Sequence, residues 1–167
     1  HKRDIRLPNE PFSLFGRFEV RYQDGKWSHA LQEFAPEDVR EMRFPDENYD
    51  FDQMQDSVFL GAYESDRCVG LAILQPGFFK YMYLYDLKVC GAYRGRKIAS
   101  LLMDEARKLA LEKGFRGLYT QGQDNNAGAC LFYLHYGFRI GGLDTEVYKG
   151  TRQEGKADIE MYRDVSC

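Results

Sequence analysis

An apolar, β-rich run from Phe79 to Cys90 passes through a glycine-bearing loop, Gly91-Ala92-Tyr93-Arg94-Gly95-Arg96, straight into a segment with helical periodicity. Its apolar positions are Ile98, Leu101, Leu102, Ala106, Leu109 and Ala110, and Gly114 supplies the stop. Phe115–Thr120 then reads as strand again. Two strands joined through a helix lie parallel in one sheet, because only a crossover of this length returns the chain to the starting edge. This passage sets the fold class as α/β, and the other elements must be built around its parallel pair.

Upstream, Phe18–Tyr22 alternates apolar and polar residues and runs into the turn signal Asp24-Gly25. Residues 28–43 are expected to form an interrupted helix, with Pro36 opening a second short helix as its first residue. Phe44–Asp52 reads as loop, and Val58–Tyr63 and Cys68–Gln75 as a hairpin turning at Glu64-Ser65-Asp66-Arg67. Asp124-Asn125-Asn126 caps a short helix from Ala127 to Tyr136, ended by Gly137. Phe138–Ile140 and Glu146–Tyr148, flanking a Gly-Gly kink, and finally Ala157–Tyr162 are the remaining strand candidates. At 167 residues the chain suits a single domain, 1–167, with residues 1–16 as an N-terminal extension.

Charge and composition narrow the partners. Lys plus Arg is 23 and Asp plus Glu is 26, a net charge of −3, which disfavours a nucleic acid held by its phosphates. Cys68–Phe79 is too short and too broken to span a bilayer, so no membrane is expected. The first residues carry no apolar core of a secretory signal, which points to a cytoplasmic location. Cys68, Cys90, Cys130 and Cys167 form no C-x-x-C pair, and the histidines stand apart at 1, 29 and 135; buried, reduced thiols and no metal site are expected. Between Glu37 and Asp56 eight acids face two arginines, a net −6. Such a run is either a solvated face or a field that draws in cations.

Arg94, Gly95, Arg96 and Lys97 stand at the mouth of the central helix. Unpaired backbone N–H groups, the positive end of the helix dipole and three cationic side chains together make an anion site. Neither G-x-x-x-x-G-K-[ST] nor G-x-G-x-x-G occurs. The segment Arg94-Gly95-Arg96-Lys97-Ile98-Ala99 instead resembles the acetyl-CoA motif [QR]-x-x-G-x-[GA] of the GNAT N-acetyltransferase superfamily, with Lys97 where the motif has glycine. Asn126-x-x-Ala129-x-x-Phe132-Tyr133-x-x-x-Gly137-Phe138 is similar to that superfamily's C-terminal signature. The resemblance covers roughly Met82 to Phe138. Gly141-Gly142-Leu143-Asp144-Thr145-x-x-Tyr148 and Gly155-Lys156-Ala157 further resemble the streptothricin acetyltransferases, antibiotic-modifying members of the superfamily.

The resemblance implies a GNAT-like mixed, mostly antiparallel central sheet of about 6–7 strands flanked by helices, with the parallel crossover at the acetyl-CoA site. It implies acetyl-CoA as co-substrate, held by Leu87, Val89, Arg94, Gly95, Arg96, Lys97, Ile98, Ala99, Asn126 and Tyr133, and no metal. Acceptor contacts fall to Asp86, Asp144 and Tyr148, and the acceptor is a cationic small-molecule amine, streptothricin first. A polyamine or a protein N-terminus would leave the same two motifs, and a CoA-binding sensor without turnover would keep the fold. Homodimers are common in this superfamily; no interface is legible in the sequence.

Acetyl transfer to an amine needs a neutral amine, a stabilised oxyanion and a proton for the departing thiolate. No G-x-S-x-G or Cys-His pattern marks a nucleophile, so direct attack in a ternary complex is expected. By the resemblance Tyr133 gives the thiolate its proton; taken alone, a tyrosine beside Phe132 and Tyr136 is core packing. Asp86 is the single carboxylate in its apolar strand, where aspartate is depleted. It either accepts the amine proton, holds the acceptor's ammonium, or ties down a neighbouring loop.

Overall fold

A computed structural model describes residues 1–165, and Cys167 lies outside them. The strands are β1 (Phe12–Leu14), β2 (Gly16–Gln23), β3 (Lys26–Glu33), β4 (Arg40–Met42), β5 (Val58–Glu64), β6 (Arg67–Pro76), β7 (Tyr81–Val89), β8 (Gly117–Gln123), β9 (Arg139–Asp144) and β10 (Asp158–Asp164). The helices are α1 (Ile98–Glu112) and α2 (Ala127–Tyr136), with short 3₁₀ turns at Lys2–Arg6, Pro36–Asp38 and Gly91–Tyr93. Six strands form one mixed sheet in the order β5-β6-β7-β8-β10-β9. The expected parallel pair is β7 and β8, in register from Tyr81 opposite Gly117 to Tyr83 opposite Tyr119.

The residues group into two compact units. Among the described residues the first comprises His1–Glu10, Arg43–Tyr119 and Asp164 with Val165. Its core is built from β6, which is apolar on both faces from Cys68 to Leu74, and from the inward side chains Met82 and Leu84 of β7. α1 lies on this sheet with Leu102, Met103, Ala106 and Ala110 buried, the stripe expected of a helix with one wet face. Contact is closest at Gly70, where a Cβ would stand 2.9 Å from Ile98 Cγ2 and 3.2 Å from Leu102 Cδ1. Only a glycine lets α1 rest directly on the strand backbone there.

The second unit comprises Pro11–Met42 and Thr120–Arg163. Phe18, Cys130, Phe138, Ile159 and Met161 are buried in it. Asn126 caps α2, its side chain accepting the Ala129 N–H at 3.3 Å, and Gly137 closes the helix in the left-handed conformation at φ 100°.

Two expectations fail in this unit. Residues 28–43 are not helical: β3 pairs with β2 along its whole length, Gln23 opposite Lys26 and Gly16 opposite Glu33, and β4 pairs with β1. Asp24 and Gly25 both have positive φ, 51° and 74°, the backbone of a two-residue hairpin turn, and this local geometry sets a strand register that overrides side-chain propensity. Pro36 does open a helical turn, a 3₁₀ turn of three residues. Glu146–Tyr148 is a loop, because Asp144 Oδ1 accepts the N–H groups of Glu146 (2.8 Å) and Val147 (3.0 Å) and turns the chain out of the sheet.

Gly70→Val is expected to overpack the contact between β6 and α1 and lower unfolding free energy by about 1–3 kcal/mol. Urea denaturation checks this, as a lower midpoint at unchanged slope.

Candidate active site

In the first unit, β7 carries a bulge. Asp86 lies opposite Ile73 and Leu84 opposite Leu74, so Tyr85 is an extra residue on the β7 side. Bulges re-aim the side chains that follow them. The register with β8 covers Tyr81–Tyr83, and the stretch holding Asp86, Leu87 and Val89 lies beyond it.

Asp86 sits in a charged cluster that the sequence reading missed. Lys88 Nζ lies 3.1 Å from Asp86 Oδ2, pairs with Glu47, and donates to the Leu7 carbonyl at 3.3 Å. Tyr49 donates its hydroxyl to the same Oδ2 at 3.0 Å, and Lys88 Nζ stands 5.3 Å from the centre of the Tyr49 ring. The Lys88 side chain is only 8% exposed and that of Asp86 16%. Burial raises the Asp86 carboxyl above its ordinary pKa despite the counteracting charge of Lys88. Burial, followed by the neighbouring charges of Asp86 and Glu47, pushes the Tyr49 phenol far up, so this ring is a donor and not an anion. Lys88 was findable, since residues i and i+2 of a strand share a face; Tyr49 and Glu47 come from a loop with no such signature.

The predicted anion loop follows β7. Glu10 accepts the Gly91 N–H at 2.6 Å, and Tyr93 donates to Glu64. Arg94, Gly95, Arg96 and Lys97 are exposed. Arg96 stacks 4.9 Å from the Tyr93 ring centre, and Gly95 has φ 74°. Lys97 is the residue before α1 and holds φ 63°, ψ 11°. Lys97, where the resembled motif has glycine, thus holds a left-handed backbone, a conformation that costs an L-residue roughly 1–2 kcal/mol. No side chain caps the first turn of α1. Its N–H groups, the dipole and three nearby cations fit the pyrophosphate of a CoA thioester.

In the second unit, Tyr133 lies on α2, 8% exposed, with ring centres 5.5 Å from Phe132 and 5.4 Å from Phe138. His135 of the same helix is exposed. Tyr148 donates to Asp158 Oδ1 at 2.6 Å and accepts from Gln123 Nε2 at 2.8 Å; Gln123 also donates to Gln153 Oε1 at 2.8 Å. Burial raises both the Asp158 carboxyl and the Tyr148 phenol. Tyr148 and Asp144 are therefore built into the loop that precedes β10, the one as an anchor and the other as a cap. Asp158 had no signal in sequence that set it apart.

The acidic stretch is partly spent on structure. Within the first unit, Asp46 pairs with Arg43 (2.9 Å) and accepts the Asn9 N–H, Glu47 holds Lys88, and Asp52 pairs with Lys2 (2.7 Å). Cys68, Cys90 and Cys130 are buried free thiols. Among the described residues no group of His, Cys, Asp and Glu is placed to hold a metal ion, and no helix is long and apolar enough to cross a membrane.

The profile of the acetyltransferase (GNAT) family matches residues 26–138. Streptothricin acetyltransferase A of Bacillus subtilis is 28% identical over 160 residues, covering 96% of this chain and 92% of that protein. Among solved structures, the acetyl coenzyme A complex of a Bacillus anthracis protein assigned as a streptothricin acetyltransferase superposes with a TM-score of 0.83 at 23% identity, covering 98% and 94% of the two chains. A nourseothricin acetyltransferase gives 0.79 at 24% identity, covering 98% and 92%. Both share the fold described above. The loop fitted to a CoA pyrophosphate, the β7 bulge and the family match lead to one conclusion: this chain belongs to the GNAT acetyltransferase family and is an acyltransferase that uses acetyl-CoA.

Proposed function

We propose that this protein is a cytoplasmic enzyme that acetylates an amine of a cationic small molecule, with streptothricin the acceptor and loss of its antibiotic action the result. Its partner is that small cation, with neither nucleic acid nor membrane involved. The observation that carries the reading is Asp86. It is a half-sequestered carboxylate with a raised pKa, and both of its internal partners hold the same oxygen, Oδ2. Oδ1 then meets the acceptor's ammonium and takes its proton, leaving a neutral amine to attack the thioester carbonyl. The carboxylate charge also selects for a cationic acceptor before the proton moves.

The other roles divide by element. Backbone groups of Leu87 and Val89, beyond the β7–β8 register, align the acetyl-bearing arm as an added strand would be aligned. The loop Arg94–Ala99 binds the pyrophosphate through the first turn of α1 and its cations, and Asn126 shapes the start of α2. Tyr133, buried among aromatic rings, donates its proton to the CoA thiolate as the C–S bond breaks. Asp144 and Tyr148 fix the loop that borders the acceptor. The likeness to Bacillus subtilis streptothricin acetyltransferase A along 96% of the chain supports the choice of acceptor.

A thiol-release screen with acetyl-CoA against streptothricin, spermidine and peptides, followed by mass analysis, tests the function. Streptothricin should gain one acetyl group; acetylation of a polyamine or peptide with streptothricin untouched would refute the assignment. Arg94→Ala should weaken acetyl-CoA binding in calorimetry, more at low salt than at high. Tyr133→Phe should leave that affinity in place and lower kcat by about 10- to 10⁴-fold where chemistry limits turnover.

The acid limb of kcat/KM should also report Asp86. The base works only when deprotonated, so activity falls as pH drops through its pKa, and that pKa is raised, so the limb lies above the ordinary aspartate range. Asp86→Asn should remove the limb together with most of the activity.

A further inference from the structure

Four tyrosine rings of the first unit form an unbroken row beside Asp86. Tyr49 and Tyr85 have ring centres 6.0 Å apart, Tyr85 and Tyr83 5.8 Å, and Tyr83 and Tyr119 5.3 Å. Tyr83 and Tyr85 project from the face of β7 opposite the buried Met82 and Leu84. Tyr119 joins them from β8 at the position paired with Tyr83. None of the four rings is buried, and Tyr85, the bulged residue, is 43% exposed. A core would hide these rings, and a sheet face kept only for solubility would not align them.

Charge complementarity identifies what lies on the row. At one end stand the carboxylates of Asp86 and Glu47, and the protein's own Lys88 ammonium already sits 5.3 Å from the Tyr49 ring centre between them. Aromatic faces attract cations, and Lys88 shows that this end of the row does so. We propose that the Tyr85–Tyr83–Tyr119 face binds a second cationic group of the acceptor while Asp86 receives the reacting amine. The row thereby selects acceptors that carry two or more cations on a flexible chain over simple monoamines. The inference rests on the proposed reading of Asp86 and of a cationic acceptor, and adds the residues that measure the acceptor's length and charge.

The test is steady-state kinetics, and calorimetry of streptothricin in the presence of CoA, with Tyr85→Leu, Tyr119→Leu and Tyr85→Phe. Thermal unfolding confirms that each variant is folded. Both leucine variants should raise KM and Kd for streptothricin by about 3- to 30-fold, the range expected for loss of one cation–π contact, with the KM for acetyl-CoA held. Tyr85→Phe keeps the ring face and should restore binding to within about 2-fold of the parent. The preference for streptothricin over n-butylamine should shrink in the leucine variants. If streptothricin is acetylated and its KM is the same in all three variants, the row has no part in recognition. If the leucine variants raise the KM for acetyl-CoA instead, the row serves the thioester and the inference is overturned. If the parent protein neither binds nor acetylates streptothricin or spermidine, the cationic-acceptor reading itself fails.

Discussion

The buried ammonium of Lys88 is the interaction on which the arrangement around Asp86 depends. It gathers Asp86 from its own strand, Glu47 from the loop after β4 and the Leu7 carbonyl from the N-terminal segment, with Tyr49 lying across it. Taking such a charge out of water costs several kcal/mol, which the two carboxylates, the carbonyl and the ring must offset together. The cluster has one positive and two negative members. Asp86 is thus held in place by groups of opposite effect, burial raising its carboxyl and the charge of Lys88 counteracting that rise. The proposed role of Asp86 as base for an ammonium needs this balance, held tightly yet still able to accept a proton.

The parts legible in sequence were those with local causes. The β7–α1–β8 crossover, the Asn126 cap, the Gly137 stop and the Ser65 turn each follow from a few neighbouring residues, and each stands where the pattern places it. Residues 28–43 defeat the reading because their partner is decided at Asp24-Gly25, a turn that pairs β3 with a strand whose side chains supply the apolar face. The same limit applies at the site. Asp86 and the anion loop are recognisable within their own segments. Tyr49 and Glu47 lie 37 and 41 positions from the groups they contact, and nothing in a single sequence links them.

Lys97 shows how a motif and a conformation can part company. The residue immediately before α1 is left-handed, a conformation that glycine meets without strain. Here a lysine adopts it. The strain is exchanged for a cation one residue from the helix dipole's positive end, where it repels the dipole and attracts an anion.

The thiols have a practical consequence. Cys130 lies at zero exposure on α2, its thiol pushed up to about 12 by burial, and Cys68 is raised for the same reason. Only a thiolate reacts quickly with a disulfide dye or a maleimide. The folded enzyme should therefore leave these two cysteines silent while every CoA released is counted. A colour burst that grows on heating would then mark the opening of the cores around β6 and α2, so one reagent would report turnover below the melting transition and unfolding above it.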